Sequence, residues 1–250
     1  MKDLLMPWTC LPTIFRRLMG TFEQLLDKGY AALALVLLSV LVFWHIYTPV
    51  HELLHVAACL MGGGTVETLA LKPQYGGTLL QPIFPFIVPE SDYAGQLTGF
   101  TTPNDFVYFF VDMLPYVLSL FGLALIDYVQ RTGRTWLFGL AVILCLIPLM
   151  SIPGDYYEAA SLLTTRIAHA IDPALPARVL LSDDVFKSIG DLSEQGMLSP
   201  VNMVLIIVGI LLAIWMALFT LALEVKIADR LLGKDNKGKD SQPPVEKQTA

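Results

Sequence analysis

Pro49-Val-His-Glu-Leu-Leu-His-Val-Ala-Ala-Cys-Leu60 follows directly on Tyr30-Ala-Ala-Leu-Ala-Leu-Val-Leu-Leu-Ser-Val-Leu-Val-Phe-Trp-His-Ile-Tyr47, and together the two stretches decide the fold. The Tyr30–Tyr47 run carries no Asp, Glu, Lys or Arg. It is long enough to cross a bilayer as a helix, which takes about 17–25 apolar residues. His51-Glu52-Leu53-Leu54-His55, an H-E-x-x-H, comes immediately after it. On a helix, His51 and His55 project from one face, so two imidazoles can bind one metal ion. Glu52 stands beside the first of them, where it can take a proton from a water held by the metal. A metal motif at the end of a membrane span asks what else in the chain could serve it at that depth.

Composition agrees with a membrane protein. The 250 residues are 55% hydrophobic and 15% charged, with mean hydropathy +0.62. Soluble domains hold about 45–50% apolar and about 25% charged residues. The net charge of -6 and the lack of a basic face exclude nucleic acid as a partner. Cys10, Cys59 and Cys145 lie at irregular spacing in or beside apolar runs, which suits small buried side chains better than a disulfide framework. Residues 1–29 contain no compact apolar core with a small-residue cleavage site. They read as an amphipathic, interfacial segment.

The expected fold is an all-α polytopic membrane protein with about four transmembrane helices and a small membrane-associated β-hairpin after the first span. Thr48 and Pro49 predict a kink or helix restart just before His51, and Gly62-Gly63-Gly64 ends that helix. Thr65–Lys72 alternates weakly as a strand, and Gly76-Gly77 predicts the hairpin turn. Further spans are expected over 106–129, 136–150 and 201–225. The chain then divides into the interfacial segment 1–29, a membrane core 30–165, an extramembrane connection 166–200 with short helices near 162–170 and 183–189, the fourth span 201–225, and a disordered basic and polar tail 226–250. Lys and Arg cluster in the N-terminal segment, in the 130–135 link and in the tail, and are sparse in the two longer loops. That predicts an integral protein of the inner or plasma membrane with both termini cytoplasmic.

A catalytic zinc commonly takes three protein ligands and keeps an open position. Asp155 is the expected third ligand, because Pro148, Pro153 and Gly154 free the backbone before it and the charge pattern brings it to the membrane face of His51. Asp112 and Glu158 are the alternatives, either as the third ligand or as carboxylates that orient a ligand histidine. His45 is expected off the motif's face. Asp127 and Glu224 are expected at the inner interface.

These features resemble the site-2 protease family of intramembrane zinc metalloproteases. His51, Glu52 and His55 match its first motif. Cys145-Leu-Ile-Pro-Leu-Met-Ser-Ile-Pro-Gly-Asp155 is similar to its second, with Pro148 and Asp155 in place, Leu146 where that motif has asparagine and Tyr156 where it has glycine. The Gly-rich turn and hairpin at 62–80 and Asp112-Met-Leu-Pro-Tyr116 fall where the family has membrane-embedded β-structure and an intervening core helix. The resemblance covers about residues 30–165. It implies a zinc-dependent endopeptidase acting on membrane-embedded or membrane-tethered proteins, with Glu52 catalytic and His51, His55 and Asp155 holding Zn2+. A hairpin edge near 65–80 would then bind substrate by strand addition. The rival readings are a non-catalytic regulator or adaptor that retains the metal-binding shell, and an ion transporter. No chain of ionisable groups crosses the bilayer as a transporter would need.

Overall fold

In the computed structural model, which describes residues 6–174 and 184–233, the N-terminal segment docks against the bundle. Helix α1 (Leu11–Leu26) buries Ile14, Thr21 and Leu25, in one cluster with Leu123, Ile126, Val129 and Phe138. Arg17 Nη1 donates to Asp127 Oδ2 at 3.0 Å, and the second guanidinium nitrogen bonds Asp229. Lys28 Nζ donates to the Gly133 carbonyl at 2.6 Å. These contacts gather the N-terminal segment, the 127–133 region and the end of the last helix at one end of the bundle. Asp127 is therefore buried and ion-paired at that end. Burial also pushes the Cys10 thiol up to about 11, which fits a small buried side chain.

Replacing Arg17 by Ala takes the ion-pair partner at 3.0 Å from the Asp127 carboxylate, which is only 3% exposed. Breaking a buried pair from one side costs about 3–5 kcal/mol. Thermal unfolding in detergent should show a correspondingly lower midpoint; an unchanged midpoint would mean the pair carries no weight.

Helix α2 (Tyr30–Met61) runs unbroken for 32 residues, about 48 Å, with Pro49 inside it. The expected restart does not occur. Thr48 Oγ1 bonds back to the Trp44 carbonyl at 2.9 Å and caps nothing. Pro49 removes a single ladder bond, the one that would reach the His45 carbonyl, and the packed helix tolerates that loss. Gly62 ends α2, and Gly63 (φ +81) adopts the left-handed backbone that turns the chain into β1 (Thr65–Leu71).

The sheet differs from the expected hairpin. Gly76 (φ +89) closes a 3-10 turn, and Gly77 begins a short helix, α3 (Gly77–Leu80). A Cβ on Gly77 would lie 1.9 Å from the Leu71 carbonyl oxygen, so this glycine serves a close crossing. The antiparallel partner of β1 arrives later. After β2 (Ile87–Val88), which pairs parallel with β1, β3 (Gly95–Thr101) pairs antiparallel with Leu69 opposite Leu97 and Leu71 opposite Gly95. The order is β2-β1-β3, which makes β3 an edge. Leu69, Leu71, Ile87 and Leu97 pack on Val56, Ala58 and Cys59, so the sheet lies over the half of α2 that carries the histidines.

The second span is two helices, α4 (Asp105–Met113) and α5 (Gly122–Thr132), joined by 3-10 turns that begin at Leu114 and contain Pro115. Helix α6 (Phe138–Met150) ends in the turn Ser151-Ile-Pro-Gly154, and α7 (Asp155–Ile171) starts at once. Residues 155–171 form one helix rather than the short helix expected near 162–170, and all but one of its buried residues lie within the expected core of 30–165. They bury Tyr156, Tyr157, Ala159, Ala160, Ser161, Thr164, Thr165 and Ala168. Small and hydroxylated residues look soluble in a sequence, yet they are what lets membrane helices approach closely. Gly209, Ala213 and Ala217 of the last helix are buried in the same way.

Helix α8 (Val185–Glu194) is capped by Asp184, and α9 (Pro200–Leu231) closes the bundle. The expected disordered tail is helical from 226 to 231; the rest of it, from 234, lies outside the described residues, as does 175–183. Glu224 is fully buried.

Four segments are long and apolar enough to cross a membrane: Tyr30–Met61, Asp105–Thr132, Thr135–Ile171 and Pro200–Leu231. Exposed leucines, isoleucines and valines on α2 and α9 supply the outward apolar surface that lipid requires. The protein is an all-α polytopic membrane protein with a small three-stranded sheet.

Candidate metal centre

His55 follows His51 by four positions on α2, so their Nε2 atoms meet 3.1 Å apart. Asp155 comes to them from the first turn of α7. Its Oδ2 lies 3.0 Å from His51 Nε2 and 3.5 Å from His55 Nε2. Three donor atoms at 3.0, 3.1 and 3.5 Å from one another form a nearly equilateral triangle. Ligands bound tetrahedrally at about 2.0–2.1 Å stand about 3.3 Å apart. The triangle therefore fits one small divalent ion. Two imidazole Nε2 atoms facing each other at this distance would need a shared proton without one. Among the described residues, this is the one group of three such donors that could hold a metal.

The surroundings set each ligand's orientation. His55 Nδ1–H donates to the Val111 carbonyl at 2.8 Å, which leaves Nε2 with a free lone pair. That carbonyl is available because Pro115, four residues on, has no N–H to offer it. His51 Nδ1 lies 3.0 Å from Tyr47 Oη, one helical turn back. With its proton on Nδ1, His51 donates to Tyr47 and likewise presents Nε2. Tyr116 Oη–H donates to Asp155 Oδ2 at 2.6 Å, and the Tyr116 ring packs edge-on to His51 and against Tyr156. Replacing Tyr116 by Phe removes only that donor. Loss of such an orienting partner costs about 10–100-fold in metal affinity or activity; titration of the metal-free protein should show it, and an unchanged affinity would make Tyr116 a packing residue.

Glu52, next to His51 on α2, is 8% exposed. A Cβ on Gly95 would sit 2.5 Å from Glu52 Cγ, so the start of β3 presses directly on this side chain. Two cavities meet around it. One, of about 160 Å3, lies on the β3 side and includes Leu97, Phe100, Val111 and Asp112. The other, of about 230 Å3, lies towards Trp44, Thr48 and Met150. Glu52, Gly154 and Asp155 line both.

No protein-family model, curated protein or solved structure matches the chain.

The structure thus brings together His51, His55 and Asp155 with Glu52 beside them. Asp112 and Glu158 stand outside the triangle: both line the smaller cavity, and Glu158 accepts from the Tyr108 hydroxyl. His45 is apart, with Nδ1 on the Leu41 carbonyl and its ring against Tyr75. Sequence reasoning passed over Tyr47, Tyr116, Gly95 and the Val111 carbonyl. Tyr47 carried a signal, since it lies four residues before His51. So did Val111, four residues before a proline.

Proposed function

We propose that the protein is an intramembrane zinc-dependent endopeptidase similar to the site-2 proteases, cutting membrane-embedded or membrane-tethered proteins. The observation that supports this best is the convergence of His51, His55 and Asp155, from elements about a hundred residues apart, on one ligand triangle with Glu52 at its side. Two histidines and a carboxylate are a donor set of catalytic zinc. Zinc held there would lower the pKa of a water towards neutrality and polarise a scissile carbonyl. Glu52 then acts as general base towards that water and passes the proton to the leaving amine. Tyr47, Tyr116 and the Val111 carbonyl keep the three ligands oriented while this happens.

Peptide presentation falls to β3. A transmembrane helix hides its carbonyls in its own hydrogen bonds and must unwind before it can be cut. β3 is an edge strand whose first residue touches Glu52, so an extended segment added to it would pass the catalytic carboxylate. The expected edge at 65–80 does not have this position: β1 is the central strand. The clustering of Lys and Arg at the end of the bundle that gathers both termini supports a cytoplasmic location for them.

The test is cleavage of a membrane-tethered reporter by purified protein, with zinc measured on the same sample. One zinc per chain, with cleavage stopped by a chelator and restored by zinc, is the expected result. Stoichiometric zinc without cleavage of any reporter would favour a regulator or adaptor that keeps the metal shell.

A further inference from the structure

The smaller cavity has a chemistry of its own. Glu52, Asp112, Asp155, Glu158 and Asp184 all line it, and no Lys or Arg does among the described residues. Asp112 is 3% exposed, and its Oδ2 atom has no hydrogen-bonding partner among the described residues. The charged groups that act on it are Glu158 and Asp155, both carboxylates. A buried carboxylate oxygen without a donor is costly, and in a membrane span such a group marks a functional position. Asp112 and Glu158 are also outside the one donor group compact enough for a metal ion. Carboxylates spread around a cavity suit a larger cation with several N–H donors. Leu97, Phe100 and Val111 complete the lining and offer an apolar path for a methylene stem.

We propose that this cavity is a subsite for a basic side chain, lysine or arginine, of the bound polypeptide, with Asp112 as its principal partner. The basic residue would lie beside the bond presented to Glu52, because Glu52 and Gly95 border the same cavity. The proposal rests on the peptidase reading for the word substrate, but the binding it asserts does not require turnover.

Two measurements separate the two ideas. In the first, full-length Glu52→Gln protein in detergent binds a short fluorescent peptide carrying one lysine, or the same peptide with norleucine there. Lysine should bind about tenfold more tightly, and Asp112→Asn in that background should erase the difference. Glu158→Gln gives the same reading if Asp112→Asn does not fold. In the second, wild-type protein cleaves reporters with lysine or norleucine at each position flanking the cut. One position should show a lysine preference of about tenfold in kcat/KM, lost in Asp112→Asn. Equal binding of the two peptides, or a preference that survives both substitutions, overturns the subsite. So does a second zinc equivalent lost with Asp112→Asn. Lysine-selective binding with no cleavage of any reporter removes the peptidase reading and leaves the subsite standing; cleavage indifferent to lysine does the reverse.

Discussion

Glu52→Gln should lower kcat by about 10²–10⁴-fold, the usual contribution of a positioned general base, while zinc remains bound at one per chain. The separation of the two readouts follows from the geometry. Glu52 is not part of the ligand triangle, so neutralising it removes no donor. Glutamine has nearly the same shape, so the contact with Gly95 is kept and β3 stays in place. What is lost is the ability to accept a proton. The measurement is single-turnover cleavage of the reporter, alongside metal analysis. Undiminished cleavage would remove Glu52 from the mechanism. Loss of zinc together with activity would mean that the substitution had disturbed the ligands, and Glu52→Asp would then be the variant to examine.

Asp155→Ala should abolish both zinc binding and cleavage. Asp155 Oδ2 is the one carboxylate atom within 3.5 Å of both histidine nitrogens. Without it, two imidazoles remain, and the loss in affinity should exceed the about 10–100-fold associated with an orienting partner. The Tyr116 hydroxyl would also lose its acceptor. Because bound metal stabilises the folded state by mass action, wild-type protein should melt higher with zinc than without, and Asp155→Ala should show no such difference. If zinc persists in Asp155→Ala but is lost in Asp112→Ala or Glu158→Ala, the third ligand has been misassigned.

The candidate metal-holding group was legible in the sequence because its signals are local. His51, Glu52 and His55 declare themselves by helical spacing, and Asp155 by the proline and glycine that break the backbone ahead of it. The restart at Pro49 was a local inference that tertiary packing overrode: one missing hydrogen bond does not break a helix held along its length. The strand partner of β1 could not be read, since pairing Leu71 with Gly95 depends on how an intervening loop of poor regularity closes. That α7 runs from 155 to 171 as one helix was not legible, because small polar side chains have the same composition whether they face water or a neighbouring helix. The Arg17–Asp127–Asp229 cluster joins three distant segments, and no spacing rule reaches across them.

Glu52 lies where two separate cavities touch. If an extended chain fills the β3 side, the Trp44 side stays open to supply the second reactant. A hydrolase consumes a water each cycle, and an occupant that sealed the only opening would halt it after one event. On the peptidase reading, two cavities beside a single carboxylate would let the reaction be resupplied while polypeptide is still bound. They also predict an inhibitor of unusual kind: a small apolar molecule lodged against Trp44 and Met150 would starve the reaction of its nucleophile without displacing the bound polypeptide.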